Sequence, residues 1–159
     1  MDIILSSISQ GLLWSVMAIG VYLTFRILDI ADMTAEGSYP LGAAVCATGI
    51  VNGLNPLLAT FLAMIAGMGA GLISGLLHTK LKIPALLTGI VTLTGLYSIN
   101  LKILGKANVA LLKQETLVTQ LQDFGLTKTN AVLVIGIIFV LAVVGVLTLL
   151  LNTQIGLAI

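Results

Sequence analysis

Charge is scarce in this sequence. Only 8% of its 159 residues are Asp, Glu, Lys or Arg, where soluble domains carry about a quarter. Such a chain cannot cover itself with a water-facing surface. With 58% hydrophobic residues and a mean hydropathy of +1.17, lipid must be its main solvent, and the class is an integral membrane protein. There is one cysteine, Cys46, so no intramolecular disulfide is available. There is one histidine, His78, so no Cys/His set has metal-ligand spacing. No basic run exists, and a net charge of +1 offers nothing to nucleic acid. No serine sits in a G-x-S-x-G turn. "GMGAGLISG" (Gly67 to Gly75) lacks the Gly-Lys-Ser/Thr ending of a phosphate loop and lies inside a charge-free run. No cofactor is therefore expected, and no covalent chemistry.

Long apolar runs are what the sequence does have. A spanning helix needs roughly 20 mostly apolar residues. Span 1 lies within Ile3–Phe25 and ends at Arg26; Asp2 stands where a signal peptide would be basic, so this span is read as retained. Gly37 to Leu77 is also free of charge and is divided by the turn-forming "NGLNP" (Asn52 to Pro56). Its first part, Gly37 to Val51, is short for a full crossing and is expected to be tilted, broken or re-entrant. Its second part runs from Pro56 to Leu77. A basic loop, "HTKLKIP", leads to a fourth span from Pro84 to about Leu101. The long polar stretch Lys102–Asn130 follows, in which Leu117, Leu121 and Phe124 share a helical face suited to an interfacial helix. The last span is Ala131–Leu151. The expected class is all-α: a polytopic transmembrane helical protein with about five hydrophobic segments, one of them short or broken after Gly37.

Three groups of residues invite a functional reading. Gly67, Gly71 and Gly75 recur every fourth residue and predict a groove for close helix packing. In span 4, Thr88, Thr92 and Gly95 fall on one face, with Tyr97 nearby. Threonine hydroxyls can bond back to their own helix, but the same face can line a pathway or meet a partner subunit. The third group is acidic. Asp29, Asp32 and Glu36 are half of the six carboxylates in the chain. Charge at the bilayer centre costs at least about 2.5 kcal/mol per residue, and Arg26 is their only nearby counter-charge. The expectation is a connector at the membrane surface whose carboxylates stay wet, ahead of an irregular helix shaped by Gly37, Tyr39, Pro40 and Gly42.

These residues carry a resemblance. "LDIADMTAEGSYPLGAAV" resembles the early signature of ABC-importer permeases of the branched-chain amino-acid and ribose class, with Gly37, Ser38, Tyr39, Pro40, Leu41, Gly42 and Ala43 matching the opening of that family's broken span. The acidic version, together with "LLTGIVTLTGLYSINLKILGKANVALL" (Leu86 to Leu112), is most similar to the subgroup paired with binding lipoproteins of the tryptophan/tyrosine kind. "LNTQIGLAI" resembles the start of the segment that couples to the ATPase, at Asn152, Thr153 and Gly156. The resemblance covers the whole chain but only the first part of the family pattern. It implies a single incomplete permease domain over residues 1–159, lacking the later spans and the coupling motif.

The resemblance further implies a multi-pass protein of a bacterial plasma membrane. Its partners would be a second permease subunit, an ABC ATPase that hydrolyses the ATP, an extracytoplasmic substrate-binding protein and the bilayer. The His78–Lys82 loop and the acidic segment would be cytoplasmic, and Lys102–Asn130 external. Two other readings stay open: an ion-coupled carrier using Asp29, Asp32 or Glu36, and a structural membrane subunit with no pathway of its own.

Overall fold

The computed structural model describes residues 2–30, 32–106, 109–111 and 114–153. The protein is all-α and polytopic. Among the described residues, four helices are long and apolar enough to cross a membrane, and no strand is present. In chain order the helices are α1 (Asp2–Tyr22), α2 (Thr34–Val51), α3 (Pro56–Leu81), α4 (Ala85–Leu104), α5 (Leu117–Gln122) and α6 (Lys128–Leu151). The chain divides into two compact units. One comprises Met1–Leu28 and Leu117–Ile159, the other Asp29–Thr116.

In the first unit, α1 packs against α6, and α5 against α6. The approach is close at Gly136, where an added Cβ would stand 3.1 Å from Leu12 Cβ and 4.0 Å from Ser9 O. Lipid gives two helices no hydrophobic reason to associate, so close backbone approach has to supply the attraction. Three serines of α1 bond back to their own helix, Ser7 donating to Ile3 O at 2.9 Å, Ser9 to Ser6 O at 2.8 Å and Ser15 to Leu12 O at 2.6 Å. After Tyr22 the helix widens into a π turn, Leu23–Ile27. Leu28 N–H donates to Leu23 O there, and Asp29, with φ of 51°, ends the helical run.

In the second unit, α2 lies along both α3 and α4. Thr34 touches Ser74 and Cys46 lies near Thr60, so α2 and α3 are antiparallel. The first turn of α2 meets Leu93 and Leu96, and Thr48 donates to Ile103 O at 3.3 Å, so α2 and α4 run in the same direction. Leu41, Ala70 and Leu96, one from each helix, form the core. The turn after α2 is as the sequence suggests. Gly53 adopts φ of 82°, the Asn55 side chain caps α3 by accepting from Leu57 N–H at 3.0 Å, and Pro56 occupies the first turn.

Several expectations need correction. α3 continues to Leu81, so His78 and Lys80 belong to its last turn and not to a loop. Cations suit the negative end of the helix dipole, His78 Nδ1 lies 2.8 Å from Ile83 O, and left-handed Lys82 makes the stop. α2 starts at Thr34 and runs through Pro40 without a break. It is short, as expected: its 18 residues make about 27 Å at about 1.5 Å per residue. Pro40 faces outward on this helix; it costs one N–H donor and crowds the carbonyl of Glu36, yet the helix continues through it. The interfacial helix shrinks to Leu117–Gln122. Phe124 lies beyond it in a turn, 87% exposed.

Candidate functional site

The buried face of α4 is a ladder at four-residue spacing: Thr88, Thr92, Leu96 and Asn100. One face of a helix recurs at this interval, so four residues spread over three turns end up in a single line. Gly89 and Leu93 flank the line and touch the segment that opens α2. Thr88 is 1% exposed and donates to Ile83 O at 3.5 Å. Thr92 and Asn100 are also buried, yet among the described residues neither Thr92 Oγ1 nor Asn100 Oδ1 has a hydrogen-bond partner. Between them Leu96 fills the notch left by Gly37, where a Cβ would lie 3.0 Å from Leu96 Cδ1 and 3.2 Å from Leu93 Cα. The four span-4 candidates therefore separate. Thr88 and Thr92 point inward, while Gly95 and Tyr97 are exposed, Tyr97 by 66%.

The acidic segment also separates. Asp29 and Glu36 are exposed, as expected of wet carboxylates, but Asp32 is only half exposed. Its Oδ1 accepts from Thr34 N–H at 2.9 Å and from the Thr34 hydroxyl. Its Oδ2 accepts from the Ser74 hydroxyl at 3.2 Å, and the two hydroxyl oxygens stand 2.7 Å apart. The carboxylate thus satisfies an otherwise unpaired N–H at the positive end of α2. Gly89 makes the position possible, because a Cβ there would lie 2.6 Å from Met33 N and 2.9 Å from Asp32 Oδ1. Asp32 departs from the expected wet connector because three donors take the place of part of its water.

Thr34, Ser74 and Gly89 did not stand out in the sequence. Thr34, two residues after an aspartate, is a recognisable local turn signal. For Ser74 and Gly89 no local signal exists, since their partner is distant in the chain.

The remaining candidates lie as follows. Gly71 and Gly75 open onto a shallow groove on the outer face of α3, with Met68, Leu72, Leu76 and Thr79. A Cβ on Gly67, Gly71 or Gly75 would meet nothing within 4 Å. The close helix approaches inside this unit use α2 instead: Gly42 against Ala63, and Gly49 against Ala59 at 3.2 Å. At the opening of α2, Gly37 is buried while Tyr39 and Pro40 are exposed. Asn152 ends α6, its N–H donating to Thr148 O at 3.1 Å, and the Thr153 hydroxyl donates to Leu150 O. Gly156 lies outside the described residues.

A model of the family described as branched-chain amino acid transport system / permease component matches residues 3–159. The chain belongs to that family. It is 50% identical over 108 residues to a tyrosine transport system permease protein of Clostridioides difficile (strain R20291), a match that covers 68% of this chain and 37% of the relative. It is 37% identical over 119 residues to an uncharacterized protein of Rickettsia prowazekii (strain Madrid E), covering 75% of this chain and 42% of that protein. The chain thus spans about two fifths of the length of the curated relatives it matches. No solved structure matches it. Its family is a transport component and not an enzyme class.

Proposed function

We propose that this chain forms part of the translocation pathway of an ATP-binding-cassette importer for a small solute, tyrosine or a similar amino acid, in a bacterial plasma membrane. The observation that carries the reading is the 50% identity to a tyrosine transport permease, in a chain whose family match runs over residues 3–159. The partners in this reading are a second permease subunit, an ATPase pair that supplies the energy and an extracytoplasmic binding protein.

Within this reading Thr88 and Thr92 belong to the pathway, and Gly95 and Tyr97 to the seam with the second permease. Gly37, Tyr39, Pro40 and Gly42 shape the opening of the short helix. Gly67, Gly71 and Gly75 receive another helix, and Asn152, Thr153 and Gly156 begin the segment that meets the ATPase. Residues 1–159 would form one permease domain with the spans that complete it in longer relatives. The alternative is ion coupling through Asp29, Asp32 or Glu36; it is weaker at Asp32, whose oxygens both accept hydrogen bonds from Thr34 and Ser74.

The test is uptake of labelled tyrosine by vesicles holding this permease, its ATPase and its binding protein. Uptake that requires ATP and the ATPase is expected. Uptake that follows an imposed proton gradient without ATP would refute the importer reading.

A further inference from the structure

An outward-facing hydroxyl suits the end of a membrane helix, where water is near, and suits its middle poorly. Among the described residues, the exposed hydroxyls of α1, α2, α3 and α6 stand within two turns of a helix end: Ser6, Ser7, Tyr22, Tyr39, Thr79 and Thr148. The outer side of α4 differs. Thr94 is exposed nine residues after Ala85 and ten before Leu104, and Tyr97 and Ser98 are exposed next to it. At about 1.5 Å per residue α4 is about 30 Å long, the thickness of the hydrocarbon layer. Thr94 therefore lies near mid-depth. It is two residues from both Thr92 and Leu96, which puts it on the opposite side of the helix from the buried ladder.

The hydroxyls on this side have unused capacity. Thr94 donates to Ile90 O at 2.8 Å and Ser98 to Thr94 O at 3.4 Å. Each proton is thus given to the helix itself, while each oxygen keeps lone pairs that can accept. The phenol of Tyr97 is too long to bond back in this way. It is 66% exposed, and its hydroxyl has no partner among the described residues. Acyl chains satisfy none of these groups. A neighbouring helix suits the acceptors little better, because its backbone N–H donors are used within it. An amino acid suits all three: its ammonium donates to Thr94 Oγ1 and Ser98 Oγ, and its carboxylate accepts from Tyr97. Gly95 adds open space beside them, since a Cβ there would meet nothing within 4 Å.

We propose that Thr94, Tyr97 and Ser98 form a hydrogen-bonding wall of the aqueous pathway at mid-membrane, fitted to a zwitterionic amino acid. This rests on the importer reading and deepens it, adding Thr94 and Ser98 to Tyr97 on the side of α4 that meets the second permease.

The experiment uses permease, ATPase and binding protein together in vesicles, with Cys46→Ala as background. Thr94→Cys and Ser98→Cys are introduced singly, with Leu141→Cys on the exposed apolar side of α6 as the lipid-facing comparison. A charged, membrane-impermeant thiol reagent is applied during ATP-driven uptake of labelled tyrosine. Thr94→Cys and Ser98→Cys are expected to react, and excess tyrosine to slow them, while Leu141→Cys stays unreactive. Failure of both to react while uptake proceeds would overturn the wall. A background transporter that takes up no tyrosine with ATP would sink the importer reading instead, so the two failures are distinguishable. A second measurement uses Thr94→Val and Ser98→Ala, which remove the acceptors with little change of shape. Each is expected to raise the KM for tyrosine roughly two- to tenfold, the usual effect of losing one hydrogen bond. Melting temperature is expected to hold, because neither hydroxyl bonds beyond its own helix. An unchanged KM would count against the proposal, as would a loss confined to melting temperature.

Discussion

Ser74, two turns before the end of α3, donates its hydroxyl to the carboxylate of Asp32, 42 residues earlier in the chain. This bond and the two from Thr34 fix where α2 begins. Asp32→Ala removes the acceptor of all three and is expected to cost about 0.5–2 kcal/mol, the usual range for a lost helix cap. Asp32→Asn keeps an acceptor for Thr34 N–H and is expected to lose less. Thermal unfolding of the detergent-solubilised protein orders the two variants, and an alanine variant as stable as the original would disprove the role.

Gly89 is expected to tolerate no side chain. Alanine there drives a carbon against Met33 N at 2.6 Å and Asp32 Oδ1 at 2.9 Å, and overpacking of this kind costs roughly 1–3 kcal/mol. The comparison is Gly69→Ala, where the new carbon meets nothing within 4 Å and better helix propensity is worth up to about 1 kcal/mol. The two melting temperatures should move in opposite directions.

The α1–α6 pair depends on Gly136. Gly136→Leu is expected to force α6 away from Leu12 and Ser9, whereas Gly145→Ala enters open space. Limited proteolysis should cut the Leu variant faster in the region joining α5 to α6. Equal cutting rates would show that the glycine contact does not hold the pair.

Tyr97 is exposed on α4, one residue beyond Leu96 of the ladder. If that face is the permease–permease seam, Tyr97→Cys in a Cys46→Ala background should give a covalent dimer under mild oxidation in the membrane. Monomer alone, with the cysteine labelled by a lipid-soluble reagent, would move the seam elsewhere.

Composition and run length carried the fold class, because lipid exposure demands apolar residues along whole helices. Local turn chemistry was equally legible: Asn55–Pro56 starts α3 as read, and Gly53 turns the chain before it. Helix ends were less so. A basic pair suggested a loop at His78–Lys82, but cations also suit a helix C-terminus, and the helix kept them. Pro40 suggested a break, yet α2, held against two neighbours, runs through it despite the lost bond and the crowded carbonyl. The division of the span-4 candidates into an inner ladder and an outer Gly95 and Tyr97 follows from four-residue spacing. What α4 packs against is a tertiary fact with no local signal. The same holds for Asp32, whose surroundings are set by Ser74 and Gly89.

The start of α2 has a consequence for the lipid around it. Thr34 is level with Ser74, seven residues short of Leu81, which places it about 10 Å inside the end of α3 at about 1.5 Å per residue. Beside it, the described residues Asp29, Ile30, Asp32 and Met33 lie outside any helix. Acyl chains cannot lie against such backbone, because they offer its amides nothing to bond. This corner therefore belongs at the membrane–water interface, or needs water or another polypeptide beside it.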